Sequence, residues 1–428
     1  MNIAFVFPEV YDVARYGKRR KEFPPFGVLY LATIVSQQKG MNVQVFSVES
    51  KDTALDLTTF DVVAFCIPSS VTYHVIEGVR YNSTYMDGAL LIAGGVHVNF
   101  FPAITLRDLA VHAVGVGNSD ETILELIAQK DTRQFQDIKG ICFDDKGRAV
   151  RTPNRPLKSS LDHLPAIPNR SLLPDQDIVS RRLAGTDLKM VHVMFSQGCP
   201  FVCNFCAAAQ RKLLYRSGAH IVRELEHLKR VYGIEGFAVV GDNFLVNKKK
   251  VREISRAIAP LDLKWSTLSR TDTVDRESIE CMRDAGCIEI KFGIESGSER
   301  ILHAMGKRTT RAEIVRAVQM THDIGVGVKA FIIHGYPGEN LESTRETIAL
   351  LRELSGMISR ITLFRFVPLP GSPVFETHGN LLRSMGDDWK KSHIHHNPHH
   401  WWGTEADFAE VQAGYEELRA FIDQRWGL

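Results

Sequence analysis

No stretch of this 428-residue chain is apolar without interruption for about eighteen residues, the length a membrane-crossing helix needs, so no span is expected. Net charge is almost absent. Against 52 Lys and Arg stand 50 Asp and Glu, a formal +2, which removes any bulk electrostatic case for nucleic acid or an acidic membrane surface. The apolar opening Met1–Phe7 has no basic flank and runs directly into Pro8 and Glu9, so it reads as a first strand rather than a signal peptide. Cysteine is sparse and odd in number. Of seven, three fall within eight residues, and the others (Cys66, Cys142, Cys281 and Cys287) sit in apolar or strand-like runs that suit small core residues. A reducing, cytoplasmic setting is expected. The length allows two or three domains with ample core.

What is present centres on Cys199-Pro-Phe-Val-Cys203-Asn-Phe-Cys206, a C-x3-C-x2-C spacing that follows the apolar run Met190–Phe195. Thiolates are soft ligands suited to zinc, copper(I) or iron–sulfur clusters. Structural zinc takes four protein ligands, usually as two separated pairs. No fourth cysteine or suitably spaced histidine lies nearby. Three cysteines alone suit a four-iron cluster better, with one iron left open for a ligand that is not protein.

Elsewhere the chain alternates strand and helix patterns, which predicts an α/β protein. Residues 1–128 offer strands at Asn2–Phe7, Asn42–Val48, Val62–Ile67 and Leu90–Gly94, with a helix over Val28–Lys39. This is the pattern of a Rossmann-like, doubly wound parallel sheet. Glycine turns, Gly94-Gly95-Val96-His97 and Gly115-Val116-Gly117, lie where a ligand can approach backbone. Residues 129–186 read as a linker: a hairpin around Asp144-Asp145-Lys146-Gly147, then a Pro-rich strap from Pro153 to Pro174. From 187 to 379 six strand–helix units predict a partial (β/α)6 TIM barrel, with chemistry at the carboxyl ends of its strands.

The tail, 380–428, is a small helical appendix. Its five His in eight residues (393–400) fit no single helix or strand face, and Pro398 interrupts them. A lid or packed loop anchored by Trp401 and Trp402 is expected there, followed by an amphipathic helix over Glu405–Trp426. The basic run Lys18–Lys21 is expected to be a solvated loop.

The cysteine spacing, with Phe205 before the third cysteine, resembles the signature of the radical S-adenosylmethionine (SAM) superfamily. The Pro24-Pro25-Phe26-Gly27 helix start and the Gly-Gly-x-His turn resemble the cobalamin-binding branch of that superfamily. Three features depart from the branch. Gly115-Val116-Gly117-Asn118 lacks its acidic residues, the stretch Glu49–Asp61 is short for a full helix, and no D-x-H-x-x-G motif is present. The resemblance implies a [4Fe–4S] cluster on Cys199, Cys203 and Cys206 that reductively cleaves SAM to a 5′-deoxyadenosyl radical, with cobalamin as a further cofactor in some members. It implies SAM contacts at strand ends: Phe205 against adenine, Asp242 at the amino group, Arg270 at the carboxylate, then Glu295 and Ser296, and the turn Gly335, Gly338 and Glu339. Tyr215, just beyond the cysteine loop, is the candidate proton donor or acceptor. The partners implied are a small-molecule substrate and an electron-donor reductase of flavodoxin or ferredoxin type, with neither nucleic acid nor membrane. The leading expectation for the reaction is radical dehydration of a diol, as in the diol-dehydratases of aminoglycoside antibiotic pathways; the alternative is cobalamin-dependent C-methylation.

Overall fold

The computed structural model describes residues 1–9, 26–69, 72–174, 178–183, 186–377 and 405–427. The basic run Lys18–Lys21, the Pro24-Pro25 pair and the histidine-rich segment 393–400 lie outside the described residues. The chain forms two compact units, the first chiefly residues 1–159 and 163–177, the second chiefly 160–162, 178–385 and 394–428.

In the first unit, β1 (Asn2–Pro8), β2 (Asn42–Val48), β3 (Val62–Cys66), β4 (Leu90–Gly94) and β5 (Ala113–Gly115) form a parallel sheet in the order β2-β1-β3-β4-β5. The inner runs are continuously apolar because both faces are covered, the signature of a parallel sheet, whereas the edge strand β2 exposes Asn42 and Gln44. Ile3, Phe5 and Phe7 turn to one side, against α1 (Phe26–Ser36); Ala4 and Val6 turn to the other, with Val63 and Phe65. The hairpin expected within a linker is instead part of this sheet. Its strands β6 (Ile141–Asp145) and β7 (Arg148–Arg151) add antiparallel beyond β5, Val114 pairing with Cys142. The compact unit therefore continues past residue 128. The strap after it folds back as well, with Asn169 donating its backbone N–H to Thr33 Oγ1 at 2.8 Å.

The second unit is a half-open barrel. Strands β9 (Thr186–Met194), β10 (Gly236–Val240), β11 (Lys264–Arg270), β12 (Cys287–Glu295), β13 (Gly327–His334) and β14 (Ile358–Arg365) run parallel, each beside the next. An antiparallel strand, β8 (Ile178–Leu183), precedes β9 at the open edge. Helices α2 (Gly218–Tyr232), α3 (Lys248–Ile258), α4 (Arg276–Asp284), α5 (Arg311–Asp323) and α6 (Leu341–Glu353) return the chain between strands. Their starts are local in origin. Ser217, Asn247 and Asp275 cap α2, α3 and α4, while α5 and α6 begin with capping boxes, Thr310–Glu313 and Asn340–Ser343. Each such cap contributes about 1 kcal/mol. The core between strands and helices holds Trp265, fully buried, stacked on Phe237 and donating Nε1–H to the Ala285 carbonyl at 2.8 Å.

The tail supplies α7 (Glu405–Trp426), which packs on α6 and β14. Leu418 and Ile422 are buried, and Trp426 donates Nε1–H to the Ile358 carbonyl. Gly414 lies so near Thr344 and His334 that an added Cβ would stand 2.7 Å from Thr344 Oγ1. His334, at the end of β13, is buried with Nε2 3.0 Å from Thr344 Oγ1.

Burial, aided by the neighbouring Arg365 charge, pushes the His334 imidazole down to about 3. The unfolded chain protonates this group near pH 6.5, and the folded chain resists doing so until far lower pH. His334 thus favours the fold fully above pH 6.5, and that contribution is lost as pH falls towards 3. Replacing His334 by Gln should flatten the fall in melting temperature between about pH 7 and about pH 4.5. An unchanged slope in a series of thermal melts contradicts this.

Candidate active site

The cysteine loop begins where β9 ends and is closed at its neck. Ser196 and Gln197 pair antiparallel with Tyr215 and Leu214. Arg211 donates its backbone N–H to the Cys199 carbonyl and Gln210 to that of Phe201, both at 2.9 Å. Gly198 has φ 90°, and a Cβ there would lie 2.1 Å from the Lys212 carbonyl oxygen, so only glycine lets the two arms of the loop meet. The loop is then tied to strand ends. Gly198 donates its N–H to Asp242 Oδ2 at 2.7 Å, beyond β10. Asn204 bonds through its backbone N–H to Met305 and through its side chain to Ala304.

Arg270, the last residue of β11, is buried against the loop. Its guanidinium forms a two-point ion pair with Asp272 (2.8 and 2.6 Å), donates to Cys203 Sγ at 2.9 Å and lies 4.1 Å from the Phe201 ring centroid. A further bond goes to the Lys307 carbonyl. The sequence expectation gives this fork to a ligand carboxylate; in the structure Asp272, two residues on, accepts from it, and Arg270 both lines the cavity and braces the loop.

Cys199, Cys203 and Cys206 line one cavity of about 320 Å³ together with Phe205, Asp242, Arg270 and Glu295. Among the described residues no three His, Cys, Asp or Glu side chains converge closely enough to hold a single metal ion. Three thiols distributed around a cavity suit a polynuclear cluster, in which each sulfur takes a different iron. Burial raises the Cys199 thiol and pushes that of Cys206 up to about 11, so iron binding must displace protons from the free protein. The donor set and the space both fit the cluster.

Two wall residues escaped the sequence reading. Lys307 is buried, its ammonium 2.7 Å from Glu295 Oε1. It follows a short helix, Glu299–Ala304, and nothing in its spacing marks it. Glu295 holds this pair in a left-handed conformation, φ 67°, at the irregular end of β12, a local strain of about 1–3 kcal/mol. Asn243 is 1% exposed and lines the cavity with neither amide atom hydrogen-bonded. A buried amide left so is matched by a bound ligand or water.

Other expected residues stand back from the cavity. Ser296 accepts from the Ser298 N–H and meets Thr347, and does not line the wall. The Glu339 carboxylate accepts N–H bonds from Gly335 and Tyr336 and organises their turn, with Gly335 and Gly338 at φ 91° and 90°. Burial pushes that carboxyl up to about 7. Phe331 and Ile333 of β13 line the cavity instead. Tyr215 also stands back from the cavity. Its hydroxyl donates to the Phe244 carbonyl at 2.9 Å and accepts from the Asn247 N–H, so it joins loop segments and is absent from the cavity wall. A wider cleft of about 750 Å³ on the outer helices, lined by Arg276, Arg311 and Glu353, includes none of these residues.

In the first unit the carboxyl edge of the sheet is glycine-lined. Gly94 and Gly117 have no atom within 4 Å of where a Cβ would stand, and Asn99 Oδ1 accepts from the Gly117 N–H. Gly95, φ 116°, approaches the Ile67 carbonyl too closely for any side chain. His97 turns inward, 1% exposed, between the rings of Tyr73 and Phe101.

Changing any one of the three cysteines to Ser should lower iron, after anaerobic reconstitution, from about four per chain towards none. Asp272→Asn, which leaves Arg270 without its carboxylate, should reduce iron retention less severely. Iron and sulfide analysis decides both; full iron in a cysteine variant contradicts the assignment.

Three comparisons bear on this geometry. The family model described as the radical SAM superfamily matches residues 193–351. A protein of Pyrococcus horikoshii, named uncharacterized methyltransferase PH0819, is 30% identical over 382 residues, which are 86% of this chain and 81% of that one. The anaerobic magnesium-protoporphyrin IX monomethyl ester cyclase of Cereibacter sphaeroides is 24% identical, over 74% of this chain and 53% of its own length. Among solved structures, the radical SAM methyltransferase TsrM of Kitasatospora setae superposes with a TM-score of 0.66 at 16% identity, covering 89% of this chain and 75% of that one, which shows a shared fold. With its cysteine loop closing on the strand ends of a partial barrel, the chain belongs to the radical SAM superfamily.

Proposed function

We propose that this chain is a cobalamin-assisted radical SAM methyltransferase acting on a small molecule. The observation that carries the reading is the presence, in one chain, of a three-cysteine cavity at the strand ends of a partial barrel and a separate parallel sheet with an open glycine edge. The methyltransferase name of the 30% identical relative supports it. When bound, the cluster supplies an electron to SAM and cobalamin supplies a methyl carrier.

In this reading the chain's own residues bind and orient. Cys199, Cys203 and Cys206 hold the iron. Phe205 offers a flat apolar face for adenine, and Asp242 and Asn243 lie where acceptors and donors for the amino-acid end of SAM are needed. The Glu295–Lys307 pair provides charge of both signs on the wall. Ser296, Gly335, Gly338 and Glu339 act indirectly, by setting the turns behind the wall. The open backbone at Gly94 and Gly117 would take cobalamin without a histidine ligand from His97, which is sealed in the core. Members of the superfamily need a reductant, and a flavodoxin- or ferredoxin-type protein is the proposed donor.

Dehydration, the sequence-based lean, is the second reading. It is favoured by Gly115-Val116-Gly117-Asn118, a turn without the acidic residues of the cobalamin-binding branch. Anaerobically reconstituted protein should retain about one cobalamin per chain and, given SAM, a reductant and substrate, release S-adenosylhomocysteine along with deoxyadenosine. Failure to retain cobalamin, with deoxyadenosine as the sole nucleoside product and loss of water from substrate, favours dehydration over methyl transfer.

A further inference from the structure

The three cysteine sulfurs are not equally placed. Cys206 Sγ accepts the backbone N–H of Ala208 at 3.4 Å, and Cys199 meets that of Phe201. Both of these donors are neutral. Cys203 Sγ instead accepts from a cation, Arg270 Nη1, at 2.9 Å. Other charged groups of the cavity wall bond elsewhere: Asp242 accepts from the Gly198 N–H, and Glu295 pairs with Lys307.

The guanidinium is fixed on every other side. Asp272 takes the Nε and Nη2 edge, the Lys307 carbonyl and Thr309 Oγ1 also accept from Nη2, and the Phe201 ring covers a face. Nη1 is left for the sulfur. Arg270 and Cys203 are only 8% and 7% exposed, so water and salt screen their contact little. Arginine also keeps its charge at any working pH. The outcome is an ion pair with a direction. Its positive end touches a cysteine sulfur, and its negative end, Asp272, lies on the opposite edge of the guanidinium.

A brace requires hydrogen bonds; it requires neither this charge nor this direction. For a cluster both matter. Reduction adds one electron from a one-electron donor, a flavodoxin-type protein or a chemical reductant, and transfers no atom. The added negative charge spreads over irons and sulfurs, and a cation hydrogen-bonded to a ligand sulfur stabilises it. A carboxylate farther from that sulfur opposes the effect, more weakly as the distance grows.

We propose that Arg270 is a positioning residue for charge: acting through the Cys203 sulfur it raises the reduction potential of the cluster, and Asp272 restrains that rise. The inference rests on the three cysteines holding the cluster, and it is the same for methyl transfer and for dehydration.

The test is a redox titration of the full, anaerobically reconstituted chain without SAM, poised with titanium(III) citrate and mediators and followed by the electron paramagnetic resonance signal of the reduced cluster. Arg270→Gln, which keeps a donor and removes the charge, should disfavour the reduced cluster about tenfold or more, a downward shift of about 59 mV for a one-electron couple. Arg270→Lys, which keeps the charge, should shift less. Asp272→Asn should move the potential upward. Loosening of the loop alone does not give opposite signs, because both substitutions weaken the same brace. Should Arg270→Gln fail to hold the cluster, judged by iron and sulfide content, the sign of the Asp272→Asn shift decides. An unchanged or raised potential in Arg270→Gln, an unchanged or lowered one in Asp272→Asn, or loss of the cluster from both variants overturns the inference. Cobalamin retention, measured on the same unsubstituted chain, bears on the proposed function and leaves these shifts untouched.

Discussion

The guanidinium of Arg270 is the tie on which the site depends. From the end of one barrel strand it reaches the Cys203 sulfur, the Asp272 carboxylate and the Lys307 carbonyl, and lies against Phe201. Loop, strand end and the segment after β12 are thus joined through one planar donor. Hydrogen bonds from a buried cation are individually strong, and leaving such a group unpaired costs several kcal/mol. The loop therefore has little freedom to open before any metal arrives, which is the preorganisation a cluster site needs.

The remainder of the wall follows from parallel strands. Parallel register brings the carboxyl ends of β10, β11, β12 and β13 to one rim, so residues far apart in sequence share a cavity. At that rim the geometry departs from the regular. Glu295 adopts a left-handed conformation, Gly293 leaves room beside its carboxylate, and Asn243 is buried without partners. Strain and unsatisfied polarity of this kind persist where surrounding packing holds them, and here that packing is the strand–helix core around Trp265 and Phe237.

The C-terminal helix has a double part. It covers β14 and α6 with Leu418 and Ile422, as a barrel helix would, and through Tyr415 it touches a cavity residue. One element so contributes to folding and to the shape of the cavity. Its glycine, Gly414, permits the close approach to Thr344 and His334 on which both depend.

Much of this was legible in the sequence, because the signals were local. Alternating strand and helix patterns foretold the six barrel units, and the cysteine spacing lies within one eight-residue stretch. The hairpin at 141–151 was recognised as a hairpin, but its pairing with β5 was not, since strand partners are chosen by non-local packing. The roles of single polar residues were less legible. Arg270 has the chemistry of a carboxylate clamp, and only the fold puts Asp272 into the fork. Tyr215 follows the cysteines closely in sequence, and the antiparallel pairing of Ser196 with it turns its hydroxyl to backbone. Lys307 carries no motif, and its partner Glu295 is twelve residues away. The sequence by itself determined the elements and the soft-ligand triad, because both arise from short-range spacing. The tertiary structure decided which polar groups face the cavity, because a side chain's partner is set by what the fold brings beside it.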